Sequence, residues 1–108
     1  MPRLAILCLI TASAYGQTSG QITGTVQDKS GAVVPTAAIT AVNELTGLVF
    51  RTTSDPSGRF TLLQLPVGDY RVDITRDGFR PFRSPSFRLD ADSTRQVQAS
   101  LELGQVSE

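Results

Sequence analysis

From Gln21 to Leu103, apolar and polar residues alternate with a period of two, and turn-forming residues interrupt the pattern about every 8–12 positions. In a β-strand successive side chains point to opposite faces, so this alternation describes strands with one buried and one wet face. No window carries a sustained apolar stripe at helical spacing. The clearest strand is Tyr70–Thr75, with Tyr70, Val72 and Ile74 on one face and Arg71, Asp73 and Thr75 on the other. In Gln96–Leu103, Val97, Ala99, Leu101 and Leu103 likewise alternate with Gln96, Gln98, Ser100 and Glu102.

Weaker alternation predicts strands at Gln21–Gln27, Ala37–Asn43, Leu48–Thr53, Arg59–Leu63 and Ser86–Leu89. In Leu48–Thr53 the pattern leaves open whether Leu48 and Phe50 or Val49 face inward. Seven strands at this density predict an all-β, antiparallel Greek-key sandwich. The turns have their own chemistry. Asp28-Lys29-Ser30-Gly31 and Asp55-Pro56-Ser57-Gly58 share one form, in which Asp bonds the backbone two residues on and Gly takes the left-handed corner. Pro81 and Pro85 bracket Phe82-Arg83-Ser84 and predict an irregular edge.

Ahead of this pattern, residues 1–16 read as an export signal. Arg3 gives the positive start, Leu4–Ile10 the apolar run, and Ala14-x-Gly16 a small-x-small cleavage pattern, with a second possible cut after Ala14. The run is far short of the ~20 residues a membrane-spanning helix needs. Cleavage leaves about 92 residues, enough for one domain. It also removes Arg3 from ten basic and ten acidic residues, so nine face ten and the balance is near −1. Such a balance offers nucleic acid no electrostatic footprint. The chain has no His, and its one Cys, Cys8, lies in the signal. That excludes disulfides within the domain, Cys or His zinc sites and thiol nucleophiles.

Catalysis would have to rest on carboxylates, hydroxyls or Lys29. Asp69/Asp73 and Asp90/Asp92 are the close acidic pairs, but Asp73 alternates with the apolar positions and faces water, a setting that does not suit an acid catalyst. The chain is therefore read as no enzyme, with no cofactor. Calcium is the one metal to weigh, through loop residues Asp28, Asp55, Asp90 and Asp92, although no calcium-loop consensus is present. From Arg76 to Arg88, four arginines interleave with Phe79, Phe82 and Phe87. Phe79 and Phe87 are expected in the core. Arg80, Phe82 and Arg83 form the candidate partner patch, exposed between the prolines, because Arg and aromatic side chains are enriched at binding hot spots.

Gln21-Ile22-Thr23-Gly24-Thr25-Val26, Asp28-x-x-Gly31, Val34-Pro35-x-Ala37 and Thr46-Gly47 are followed by Asp55-x-x-Gly58-x-Phe60, Leu65-Pro66-x-Gly68-x-Tyr70 and Gly78-Phe79. In this order they resemble the carboxypeptidase regulatory-like domain, over roughly Gln21 to Leu103. The resemblance implies a transthyretin-like (prealbumin-like, carbohydrate-binding-like) sandwich across 17–103, with 104–108 as a C-terminal tail. Within it Asp55 and Gly58 would make a turn, and Leu65, Gly68 and Tyr70 a tyrosine corner. The stretch Leu101–Glu108 is similar to the one that follows this domain in TonB-dependent outer-membrane receptors, ahead of plug and barrel. By that resemblance the chain is an exported accessory domain in the periplasm or at the outer membrane, with a protein partner in the envelope, or a free-standing relative. A starch-type carbohydrate-binding module is the alternative, weakened by the absence of Trp and the expected burial of Tyr70.

Overall fold

The computed structural model describes residues 19–104, which contain no helix. The signal expected at 1–16 and most of the tail at 104–108 lie outside the described residues. Eight strands follow one another: β1 (Ser19–Asp28), β2 (Ala38–Asn43), β3 (Val49–Thr53), β4 (Arg59–Pro66), β5 (Gly68–Thr75), β6 (Phe82–Arg83), β7 (Phe87–Leu89) and β8 (Thr94–Leu101). They form a sandwich of two sheets. One has the order β4-β1-β8; the other has the order β3-β2-β5-β6, with β7 also on β5.

Two features correct the sequence-based expectation of seven antiparallel strands. First, β6 and β7 pair successive stretches of β5, at Asp73–Ile74 and Gly68–Tyr70. They make one edge broken around Ser84-Pro85, where proline cannot donate to a ladder. Second, β1 and β8 run parallel, in register from Gln21↔Thr94 to Asp28↔Leu101. Parallel and antiparallel strands with one wet face carry the same alternation, so the pattern does not reveal direction.

The alternation sorts the side chains into a shared core. Ile22 and Val26 of β1, Ile39 and Ala41 of β2, Val72 and Ile74 of β5, and Val97, Ala99 and Leu101 of β8 are all buried. In β3 Phe50 turns toward this core and is half-buried, while Leu48 and Val49 are exposed. The last strand stops at Leu101, and Leu103, expected in the core, is 73% exposed. Leu103 pairs instead through its backbone with Phe79, past the end of the sandwich.

In β4 the period of two fails for a local reason. Leu62 pairs Ile22 and Leu65 pairs Gly20, so Leu63 and Gln64 together oppose Gln21. This is a β-bulge, with Gln64 at φ 57°. It keeps Gln64 out of the core and returns Leu65 to it, while Leu63 faces solvent as the alternation from Leu62 requires. At the middle of β1, Gly24 faces inward beneath the Phe60 ring and against the Val97 carbonyl, where a Cβ has no room.

Candidate functional site

Two kinds of place stand out: corners that hold the loops, and a seam between two edge strands. In the first corner the Asp28 Oδ1 accepts from the Ser30 N–H at 2.8 Å, the Ser30 hydroxyl at 2.7 Å and the Ala32 N–H at 3.0 Å. The Ser30 hydroxyl bond, with the backbone N–H groups and against some desolvation, holds the Asp28 carboxyl below its ordinary value of 3.8. Asp55 repeats the design, its Oδ1 accepting from Ser57 N–H at 2.8 Å and Arg59 N–H at 2.9 Å. Gly58 donates to the Asp55 carbonyl at 2.8 Å and turns the chain at φ 76°. Both carboxylates are occupied by turn N–H groups. Among the described residues no three acidic, His or Cys side chains gather as a metal site.

The second corner joins β4 to β5. Tyr70 is fully buried, and its hydroxyl donates to the Pro66 carbonyl at 2.7 Å. Desolvation raises the Tyr70 pKa above 10.0, against a smaller opposing hydrogen bond with Asn43. Leu65, 1% exposed, packs in the same core. Gly68 sits at φ 153°, and a Cβ there would lie 2.8 Å from Asn43 Nδ2. Asn43 is itself buried and accepts from the Leu45 and Thr46 N–H groups at 3.0 and 3.1 Å. One buried amide thus ties the β2–β3 turn to the β4–β5 corner.

The seam lies between β8 and β6, which end their respective sheets. It is a cleft of about 240 Å³ lined by Arg80, Pro81, Phe82, Arg83, Ser100, Leu101 and Glu102. All three residues of the candidate patch therefore lie along one cleft. Phe82, however, is not free: it is half-buried and packs on the core. A residue between two prolines can still satisfy the alternation of the strand it belongs to. Arg80 pairs with Glu102 at 3.8 Å, and Arg83 with Asp73 at 2.9 Å. Asp73 also meets Arg71 at 3.3 Å, so it is an ion-pair anchor on the outer face. Asp69 and Asp90 both pair with Arg88, at 3.9 and 3.2 Å. Surface pairs of this kind contribute little to stability.

Three participants carry no signal in the sequence pattern. Ser84 is buried, accepts from the Val72 N–H at 2.8 Å and donates to the Pro85 carbonyl at 3.0 Å. It takes over β5's pairing where the edge strand breaks. Ser54, also buried, does the same between Ala37 N–H and the Val34 carbonyl, each at 2.8 Å. Arg95 occupies an inward-pointing position at the start of β8, its guanidinium 5.0 Å from the centre of the Phe87 ring, within cation–π range.

The model of the carboxypeptidase regulatory-like domain family matches residues 21–102. No curated protein is significantly similar in sequence. Among solved structures, the Bacillus anthracis TIE protein is 20% identical over 80% of this chain and 17% of its own, with a TM-score of 0.67. The minor pilin GBS52 of Streptococcus agalactiae is 11% identical over 84% of this chain and 47% of its own, at 0.66. The 3-chlorocatechol 1,2-dioxygenase of Rhodococcus opacus is 11% identical over 81% of this chain and 61% of its own, at 0.62. The chain thus spans 17–61% of these three structures, less than two thirds of each, and at these identities the likeness is one of fold.

Proposed function

The chain belongs to the carboxypeptidase regulatory-like domain family, and we propose that it works as a non-catalytic binding module of the bacterial cell envelope. In this reading residues 1–16 direct export and are removed, residues 17–103 fold as the module, and 104–108 lead away from it. Its fuller form is the periplasmic N-terminal extension of a TonB-dependent outer-membrane receptor, and its simpler form a free-standing relative. The observation that carries the binding role is the arginine-rimmed seam, where Arg80, Phe82 and Arg83 meet the end of β8. The fold does not decide between binding and chemistry, since pilins and a dioxygenase share it. Asp28 and Asp55 are engaged by turn N–H groups, and Asp69, Asp73 and Asp90 by arginines. The alternative is a carbohydrate-binding module: a structure named as a carbohydrate-binding protein shares the fold, while the absence of Trp and the burial of Tyr70 weigh against a platform of stacking rings.

Export is tested by fusing alkaline phosphatase after Glu108. The reading expects enzyme activity in intact cells and its loss when residues 2–16 are deleted. An inactive full-length fusion would sink the envelope role. Sequencing the DNA beyond the Glu108 codon separates the two forms: a frame continuing into plug and barrel strands supports the receptor extension, and a stop codon supports the free-standing module.

A further inference from the structure

β8 runs from a second cleft, at its Thr94 end, to the seam at its Ser100 end. This open cleft of about 430 Å³ lies where β1 and β8 start and β4 bulges, between Gln21, Leu63, Gln64, Asp92, Ser93 and Thr94. Its size is that of small-molecule sites, roughly 300–1,000 Å³. The bulge and the turn that frame it both carry left-handed backbone. Gln64 stands at φ 57° and Asp92 at φ 56°, two of the three non-glycine residues with positive φ among those described. Such positions gather at ligand sites, where the surrounding structure has to hold them. Here the Asp92 N–H donates to the Ser19 carbonyl at 2.8 Å, which fixes the turn onto β1.

The side chains in the cleft are chemically mixed. Asp92 is exposed and, among the described residues, its carboxylate meets no arginine or turn N–H, whereas Asp69, Asp73 and Asp90 each pair with arginine. Gln21 Nε2 donates to Thr94 Oγ1 at 2.9 Å, which leaves the Gln21 carbonyl to accept and the Thr94 O–H to donate. Gln64 adds an exposed amide, and Leu63, 63% exposed, an apolar wall. The Ser93 hydroxyl is engaged within its own turn by the Asp90 backbone. No cation lines the cleft: Arg88 is held by Asp69 and Asp90, and Arg95 turns to the Phe87 ring on the other side of β8. One carboxylate falls short of a calcium site, which takes about six to eight oxygens. From the cleft a charge-free strip continues over the outer face of the three-stranded sheet. Its cross-strand rows are Thr61–Thr23–Gln96 and then Thr25–Gln98, and Arg59, opposite Thr25, is the first charge reached. The outer face of the other sheet instead carries Arg71, Asp73 and Arg83 in ion pairs.

We propose that this cleft and the strip beyond it bind a neutral glycan, with one sugar ring in the cleft and further rings along the strip. Amide and hydroxyl side chains both donate and accept, as sugar hydroxyls do, so a hydroxyl-rich chain satisfies them without burying an unpaired charge. Asp92 narrows the ligand class. A carboxylate only accepts, and two adjacent ring hydroxyls supply the donors that it lacks. Leu63 offers apolar surface to the C–H face of a sugar ring. An anionic chain would meet Asp92 with no cation in the cleft to offset it. The proposal rests on the reading of the chain as a binding module and gives it a site distinct from the seam. It also supplies the carbohydrate-binding alternative with a surface that needs no stacking ring.

The probes are three neutral trisaccharides, maltotriose, cellotriose and triacetylchitotriose, titrated into the full isotopically labelled chain and followed by amide shifts. With at least one of them, saturable shifts are expected at Gln21, Leu63–Gln64 and Asp92–Thr94, while Phe82 and Arg83 at the seam stay still. Asp92→Asn keeps a residue type that tolerates left-handed backbone, and should weaken binding about tenfold because the charge-assisted bonds are lost. Gln64→Gly suits the bulge and should fold normally, yet weaken binding roughly fivefold, the worth of one neutral hydrogen bond. No saturable shift at the cleft with any of the three sugars would overturn the proposal, as would equal binding by both variants and wild type. Tighter binding of the cationic glucosamine trimer than of its acetylated form would overturn it by showing a site for positive charge. Contacts from residues 1–18 to Leu63 in the sugar-free chain would overturn it by showing the cleft filled by the chain itself. None of these results bears on the export fusion or on a partner at Arg80 and Arg83, so the envelope reading stands or falls separately.

Discussion

Replacing Tyr70 with Phe removes one oxygen atom from a side chain whose ring is fully enclosed, and leaves the ring's packing unchanged. The lost interaction is the hydroxyl's bond to the Pro66 carbonyl at 2.7 Å. A neutral hydrogen bond of this type contributes a net of about 0.5–1.5 kcal/mol, because the unfolded chain recovers it with water. Pro66 is only half-buried, so water can reach its carbonyl once the hydroxyl is gone, and the penalty stays near the middle of that range. Tyr70→Phe should therefore cost about 1 kcal/mol, equivalent to about 4–8 °C in Tm for a domain of this size. The alkaline side gives an independent check. Burial raises the folded pKa of Tyr70 above its unfolded value of 10.0, so the fold favours the neutral phenol. The stability that this linkage contributes is fully present below the unfolded pKa and is lost as pH rises through the folded pKa. Urea denaturation at about pH 7 and again from about pH 9 to about pH 11 should show the difference between the two proteins shrinking as the tyrosine ionises. An unchanged midpoint at neutral pH, or a difference that stays constant across the alkaline range, would refute the corner as an energetic unit.

Gly24→Ala should be the most damaging single-methyl addition in β1, costing about 1–3 kcal/mol by calorimetry, because its Cβ meets the Val97 carbonyl and the Phe60 ring. Ser84→Ala strands the buried Val72 N–H and should cost about 1–3 kcal/mol in urea denaturation; Ser84→Thr, which keeps the oxygen, should recover part of it. Asp28 is held below 3.8, so its contribution is present above that pH and fades as pH falls through the lower folded value. Denaturation midpoints of Asp28→Asn and wild type should accordingly differ most near neutrality and converge in acid, and a gap that widens in acid would reverse the assigned sign.

Much of the sandwich is legible in local patterns. Tyr70 to Thr75 alternates because β5 lies between β2 and the β6/β7 edge with one face wet, and the two Asp-x-x-Gly turns close on bonds spanning only two to four residues. What escapes the sequence depends on partners distant along the chain. Ser54 reads as one polar residue in a loop, yet its hydroxyl bridges the backbones of Val34 and Ala37. Asn43 reads as a turn former, and the reason it is buried lies across the fold at Gly68 and Tyr70. The bulge at Leu63–Gln64 exists because β4 must stay in register with β1, and nothing within Arg59–Leu63 announces it. At the seam, the sequence brings Arg80, Phe82 and Arg83 to notice by composition. It says nothing of Ser100 and Glu102, which the end of the last strand brings to the same cleft.

The parallel pairing of β1 with β8 has a mechanical consequence. Both strands start at the same end of the sandwich, Gln21 beside Thr94, and both finish at the other, Asp28 beside Leu101. A pull applied before β1 and after β8 therefore drags the two strands past each other along their length. The load falls on the whole ladder between them at once, in shear, instead of opening it bond by bond as a zip. The chain also enters at one pole and leaves at the other, so tension between flanking segments passes through the short Phe79–Leu103 bridge and then onto this clamp.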